Sequence, residues 1–144
     1  MANLTYNEGI ESIIDRNIDY IADTIKAILL SSTYSPNKDD QFIDTGGASD
    51  PVDARIGTDQ TLGTKATGKD TTSDFAYLDA ADPTWTAVAG GSTVVGVGIY
   101  KDTGTPTTSK LIAYLDVTDT ATNGGDITVQ FATPANGGVV KFQN

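Results

Sequence analysis

The chain has 144 residues, a formal net charge of −10, 38% hydrophobic and 19% charged side chains, and neither Cys nor His. That length suits one domain with a real core, and the missing residue types exclude disulfides, zinc–sulfur sites and both Ser-His-Asp and Cys-His catalysis. The acidic balance repels a phosphate backbone, so nucleic acid is not an expected partner. Thr, Gly, Asp and Ala are abundant. β-Branched Thr suits half-exposed strands, and Gly and Asp suit turns, so a mostly β fold is expected.

The N-terminus, MANLTYNEGIES, has neither a basic start nor an unbroken apolar core. It does not read as a signal peptide, which implies synthesis in the cytoplasm. The longest apolar stretch, residues 27–30, is far too short for a bilayer, so no membrane association is expected. Ile10, Ile13, Ile14, Ile18, Ile21, Ile25 and Ile28 recur at spacings of three and four, a helical period. Thr5 or Asn7 would cap its start, and Glu8 and Glu11 would favour the helix dipole. Two readings fit. One is a single helix over residues 6–30; the other is a helix ending near Arg16, a break at residues 17–19 and a strand over 24–32. Spacing alone favours the long helix.

Residues 35–74 are poor in large apolar side chains and rich in turn sequences such as SPNKDD and DTGGASDP. They read as a loop-rich surface arm or a set of edge strands, with short strands near 53–56 and 60–66. From Asp74 the strand signals are clear. DFAYLDA alternates, TWTAVA follows a turn at Asp82-Pro83, and STVVGVGIYKD sets Val95, Val97 and Ile99 against Val94, Gly96, Gly98 and Tyr100. Glycines inside a strand imply a bulge or a close neighbour. KLIAYLDV sets Leu111, Ala113, Leu115 and Val117 against Ile112 and Tyr114. With both faces apolar, these two strands are expected at the centre of a sheet, covered on both sides. NGGDITVQF and NGGVVKFQ each launch a short strand from a Gly-rich turn. The region 75–144 therefore reads as a β meander of about five strands.

No motif rises to a catalytic or cofactor site. GTDQTLGTK lacks the spacing of a phosphate-binding loop. Asp39, Asp40, Asp44, Asp50 and Asp53 offer hard oxygen ligands without the EF-hand pattern. Asp79 and Asp82 beside Trp85 resemble a glycosidase carboxylate pair only in composition, and a strand end beside a packed aromatic is the simpler reading. No catalytic residue, cofactor or metal is assigned.

Several segments, taken together and in order, resemble one family. They are ADTIKAILLSSTYSPNKDD, DFAYLDAADPTWT, VGIYKDTGTPTTSKLIAYLDV and NGGDITVQF. The chain is similar in these stretches to small virion structural proteins of tailed bacteriophages. Lys110 stands where the family hairpin usually has Pro, and Phe131 where its last strand usually has Trp. Little of residues 41–70 aligns. The resemblance implies a short N-terminal helix followed by a strand at 24–32, against the bare periodicity. It further implies a single mostly β domain, an antiparallel β-sandwich or barrel-like body with residues 1–20 as the helical segment.

The function implied by the resemblance is capsid decoration. On that reading a cement protein, made in the host cytoplasm, binds the outer surface of the major capsid lattice, stabilises the shell and is no enzyme. A tail- or fibre-associated role in host adsorption is the alternative. The expected partners are the major capsid protein and copies of the chain itself, as a trimer. Large apolar residues in or beside loop-rich sequence are the candidate contacts: Tyr34, Phe42, Ile43 and Trp85.

Overall fold

The computed structural model describes residues 2–143. In chain order, the described elements are β1 (Leu4–Thr5), α1 (Asn7–Ile14), β2 (Ile25–Leu30), β3 (Arg55–Thr61), β4 (Ala66–Asp70), β5 (Phe75–Asp79), β6 (Thr84–Trp85), β7 (Thr93–Lys101), β8 (Leu111–Ala121), β9 (Ile127–Thr128) and β10 (Val140–Gln143). The fold is mostly β, with antiparallel sheets and one short helix near the N-terminus. The largest sheet has the order β1-β8-β7-β2-β3, so β1 and β3 are open edges and the sheet does not close into a barrel. A three-stranded sheet, β10-β5-β4, and a ribbon, β6-β9, complete the set.

The N-terminal isoleucines divide between helix and strand. α1 ends at Ile14, and Ile25 and Ile28 lie on β2. What breaks the helix is a tight turn: Arg16 sits at φ +65°, and Asp15 accepts hydrogen bonds from the backbone and side-chain amides of Asn17 at 3.0 and 2.7 Å. Side chains that bond their own backbone compete with helix continuation. The start of α1 differs from the expected cap: Tyr6 holds the N-cap position, and no side chain caps it.

β2 is apolar on both faces because the five-stranded sheet is buried on both faces. Ile25, Ala27 and Leu29 join Val97 and Ile99 in one core, which Leu78 and Val140 of the small sheet, Val139 just before β10 and Trp85 of the ribbon close from below. Ile28 and Leu30 join Tyr100, Leu111 and Tyr114 in a second core, covered by Tyr6, Tyr34, Ile43 and Ala54. Residues 34–54 are thus a packed cover over the sheet rather than a loose arm. The edge-strand alternative holds for the remainder of the arm. β3 and β4 are edges of their sheets, and β3 is one continuous strand across the two short stretches expected.

Two expectations from simple alternation fail, both at bulges. The pairing skips from Val94↔Thr120 to Gly96↔Asp116, and from Ile99↔Ala113 to Tyr100↔Leu111. The second shift puts one extra residue on β8 and reverses the side-chain phase there, so Ile112 packs with Ala113 and Leu111 with Tyr114 on the other side; the first puts two extra residues on β8, and beside it Val94 packs with Val97 and Ile99. Gly96 has the close neighbour its position implied, since a Cβ there would lie 2.1 Å from the Tyr114 hydroxyl.

The meander expected over 75–144 is also corrected. Only β7 and β8 are sequential partners there; β5 pairs with β10, and β6 with β9. The turn residues were recognised, but short strands find their partners through shared core contacts that local sequence does not encode.

The tip of the β7–β8 hairpin is polar and fastened. Its Thr103 and Thr108 hydroxyls bond at 2.6 Å, and the fully buried Ser109 donates from its hydroxyl to the Thr105 carbonyl at 2.9 Å. Lys26 pairs with Asp102 at 2.6 Å, Lys101 with Asp23 at 2.9 Å and Lys110 with Glu8 at 2.8 Å. Exposed ion pairs add little stability each, but these three fix where the hairpin meets the N-terminal segment.

Gly9 seats α1 on β8: a Cβ there would lie 2.6 Å from both the Ile112 Cα and the Leu111 carbonyl oxygen. In an exposed helix Gly→Ala would gain about 1 kcal/mol. Here Gly9→Ala is expected to lower the midpoint of chemical denaturation, because overpacking against backbone costs about 1–3 kcal/mol. Acid should loosen the hairpin tip. The Lys26 ammonium, with the Gly104 amide, holds the Asp102 carboxyl below the usual carboxylate range. A depressed carboxyl stabilises the fold above its unfolded pKa and loses that contribution as pH falls through the folded value. Amide exchange at 102–110 is therefore expected to accelerate, beyond its intrinsic pH dependence, below about pH 4.

Candidate interaction surface

Three of the four residues expected as contacts are core residues. Tyr34, Ile43 and Trp85 are 6%, 2% and 1% exposed. The Tyr34 hydroxyl bonds the Tyr6 hydroxyl at 2.7 Å and donates to Asp40 Oδ2 at 2.7 Å. Burial, with the neighbouring Tyr6 and Asp40, pushes its ionisation far above the ordinary tyrosine value. Ile43 donates its amide to the Ser109 carbonyl at 3.0 Å, which ties the cover to the hairpin tip. Trp85 fills the main core, and its indole N–H has no hydrogen-bond partner within the described residues. Phe42 is half-buried and its backbone bridges to Lys110. These residues are drawn into the molecule because an apolar side chain in a polar loop is the loop's means of attachment to a core.

Among the described residues, the large apolar side chains left in solvent are Ile14, 76% exposed, and Ile21, 49% exposed. They lie at the end of α1 and in the turn that leads into β2. The intervening chain is anchored: Ile18 and Tyr20 are buried on either side of Asp19, and the Ile18 amide donates to the Ser12 carbonyl at 2.8 Å. Asp19 Oδ1 accepts the amides of Ile21 and Ala22 at 3.0 Å, and Asp23 Oδ2 accepts that of Asp19 at 2.8 Å. Lys101 Nζ donates to the Asn17 carbonyl at 2.6 Å. Ile21 is therefore held out by a hydrogen-bonded turn, and Glu11, Asp15, Arg16 and Asp19 are exposed charges along the same segment, three acidic and one basic. Burying such a residue fully is worth about 1.5–3 kcal/mol, and a fixed display reduces the ordering cost of binding.

The helix pattern held a usable signal for Ile14. Gly9 and Ser12 are the buried positions of α1. Small residues at i and i+3 let backbones approach closely, so the docked stripe runs through them and leaves Ile14 off it.

The other sites considered from sequence resolve into structure. Asp50 accepts the Thr45 amide at 2.7 Å, the Thr45 hydroxyl at 2.9 Å and the Gly47 amide at 2.9 Å. Burial pushes its carboxyl up, but these donors outweigh that and hold it below the usual range. Among the described residues no group of three or more acidic side chains is placed to hold a metal ion. Asp82 accepts the Phe131 amide at 2.8 Å, which fastens the segment after β9. No helix among the described residues is long and apolar enough to cross a membrane. Comparison of the chain with family models, curated proteins and solved structures returns no match.

Core and surface roles separate by mutation. Tyr34→Phe leaves the buried Tyr6 hydroxyl without its partner and is expected to destabilise by about 1–3 kcal/mol. Ile14→Ser and Ile21→Ser should each change stability by no more than about 0.5 kcal/mol. Equilibrium urea denaturation of the three variants is the check.

Proposed function

We propose that this chain is a structural, non-catalytic component of a tailed-bacteriophage virion, a capsid decoration protein that seats on the outer surface of the major capsid lattice and stabilises the shell. The observation that carries the reading is the fixed outward display of Ile14 and Ile21 on a body whose other large apolar residues, among those described, are buried or half-buried. The resemblance of the hairpin and its flanking segments to small phage virion proteins supplies the context. The two isoleucines are the contact, and the sandwich beneath them is a rigid mount.

The chemistry suits that role. An excess of acidic charge keeps the chain soluble before assembly and away from packaged DNA. Many copies on one lattice act together, so a modest apolar contact in each is sufficient. A homotrimer over a lattice symmetry axis would present three such corners at once.

The test uses shells stripped of this chain. Wild-type protein added back should saturate them and raise the temperature at which they rupture. The Ile14→Ser/Ile21→Ser double variant should bind at least about tenfold more weakly while remaining folded. Saturation by the double variant at the wild-type concentration would remove this corner from the contact.

A further inference from the structure

A cavity of about 420 Å³ opens on the face of the large sheet that residues 34–54 cover, between β3, the tip of the β7–β8 hairpin and Ile43. An irregularity in β3 builds it. Between Ala27↔Gln60 and Leu29↔Ile56 the pairing advances two residues on β2 and four on β3, and Gly57 takes φ +71° there. Such bulges re-aim side chains. Four residues of regular strand span about 13 Å, yet Arg55 here grips both carboxylate oxygens of Asp59, Nε to Oδ1 and a terminal nitrogen to Oδ2, each at 2.9 Å. The buried Tyr100 donates its hydroxyl to Asp59 Oδ2 at 2.6 Å, and that Asp59 side chain is only 9% exposed. A second ion pair lines the same cavity. Lys26, the cross-strand partner of Tyr100, lies 2.6 Å from Asp102, whose Oδ1 accepts the Gly104 amide at 3.0 Å.

We propose that this cavity binds an uncharged sugar residue of a glycan. Charge and hydrogen-bonding capacity decide the ligand. The lining carries two cations and two carboxylates, so an anion meets Asp59 and Asp102 and a cation meets Lys26 and Arg55. A hydroxyl meets neither penalty, because it accepts from an ammonium or guanidinium and donates to a carboxylate at once. The ion pairs leave that capacity open. Among the described residues, both cations keep N–H donors and both carboxylates keep lone pairs beyond those that their bonds use. Neighbouring hydroxyls of a sugar ring match such alternating donors and acceptors. Partners already fix the charged groups, which lowers the ordering cost of binding. Exposed Thr58, Gly104 and Pro106 form the rim, so a bound ring can continue outward into further sugars, and Pro106 offers an apolar surface to its C–H face. No lining residue belongs to the Ile14 and Ile21 corner, so binding here is independent of the contact proposed there.

The probes are the methyl glycosides of glucose, galactose, mannose and rhamnose, titrated into the full chain and followed by amide NMR. At least one should shift the Gly57, Thr58 and Gly104 amides saturably, with a dissociation constant below about 10 mM that changes less than about twofold between low and high salt. Lys26→Met and Arg55→Lys should each weaken that binding at least about tenfold, with a cooperative urea transition showing that each variant is folded. Four outcomes would overturn the proposal. The first is no shift of these amides by any glycoside at about 100 mM. The second is inorganic sulfate shifting them at lower concentration than any glycoside, which would identify an anion site. The third is binding of the free sugars without their glycosides, which would identify a pocket for a monosaccharide. The fourth is undiminished binding by both folded variants.

Discussion

The fold depends on burying one pair of strands on both faces. β7 and β8 carry apolar residues above and below the sheet, and neither face can be left in water without losing most of the hydrophobic free energy available to a chain of this size. Each remaining part of the molecule supplies cover. The small sheet, the β6-β9 ribbon and Ile13 of α1 close one side; Tyr6 and residues 34–54 close the other. The long polar segment after β2 is therefore structural, and its few apolar residues are its points of attachment. The same constraint explains the inert hairpin tip. It is where two walls and the N-terminal segment meet, and its Thr and Ser hydroxyls satisfy the tight backbone of that junction.

Much of this was legible in the sequence, and the failures share physical causes. Strands β5, β7 and β8 were visible because runs of Val, Ile, Leu and Tyr have no other economical place in a chain so rich in turn residues. The N-terminal isoleucines were ambiguous, since a three-four spacing fits a helix and also fits a short helix, a turn and a two-sided strand in succession. Resemblance, and not periodicity, selected the second, and Asp15 and Asn17 show why the helix stops. Face assignment failed for Ile112 and Leu111 at a one-residue bulge, and for Val94 beside a second irregularity in the pairing, because neither has a residue-type signature of its own. The β5–β10 and β6–β9 pairings join strands far apart in the chain, and nothing local specifies them.

Three of the four candidate contacts are buried for an instructive reason. Tyr34, Ile43 and Trp85 were candidates because they stand in or beside loop-rich sequence, yet a large apolar side chain among polar neighbours is what a loop uses to hold itself down. Ile14 and Ile21 looked like members of a helix stripe and are instead the residues left outside. The better guide was the pair of small residues, Gly9 and Ser12, that marks the true docking face of α1. A polar, acidic and well-fastened body with two isoleucines held outward is what the proposed role as a bound part rests on.

That account is tested most directly by immunogold labelling of purified virions with antibody to this chain. Label distributed over the whole head is the predicted result, and it would place the chain on the capsid lattice. Label confined to the tail or its tip would contradict the decoration reading and favour host adsorption, and particles without label would contradict a virion role altogether.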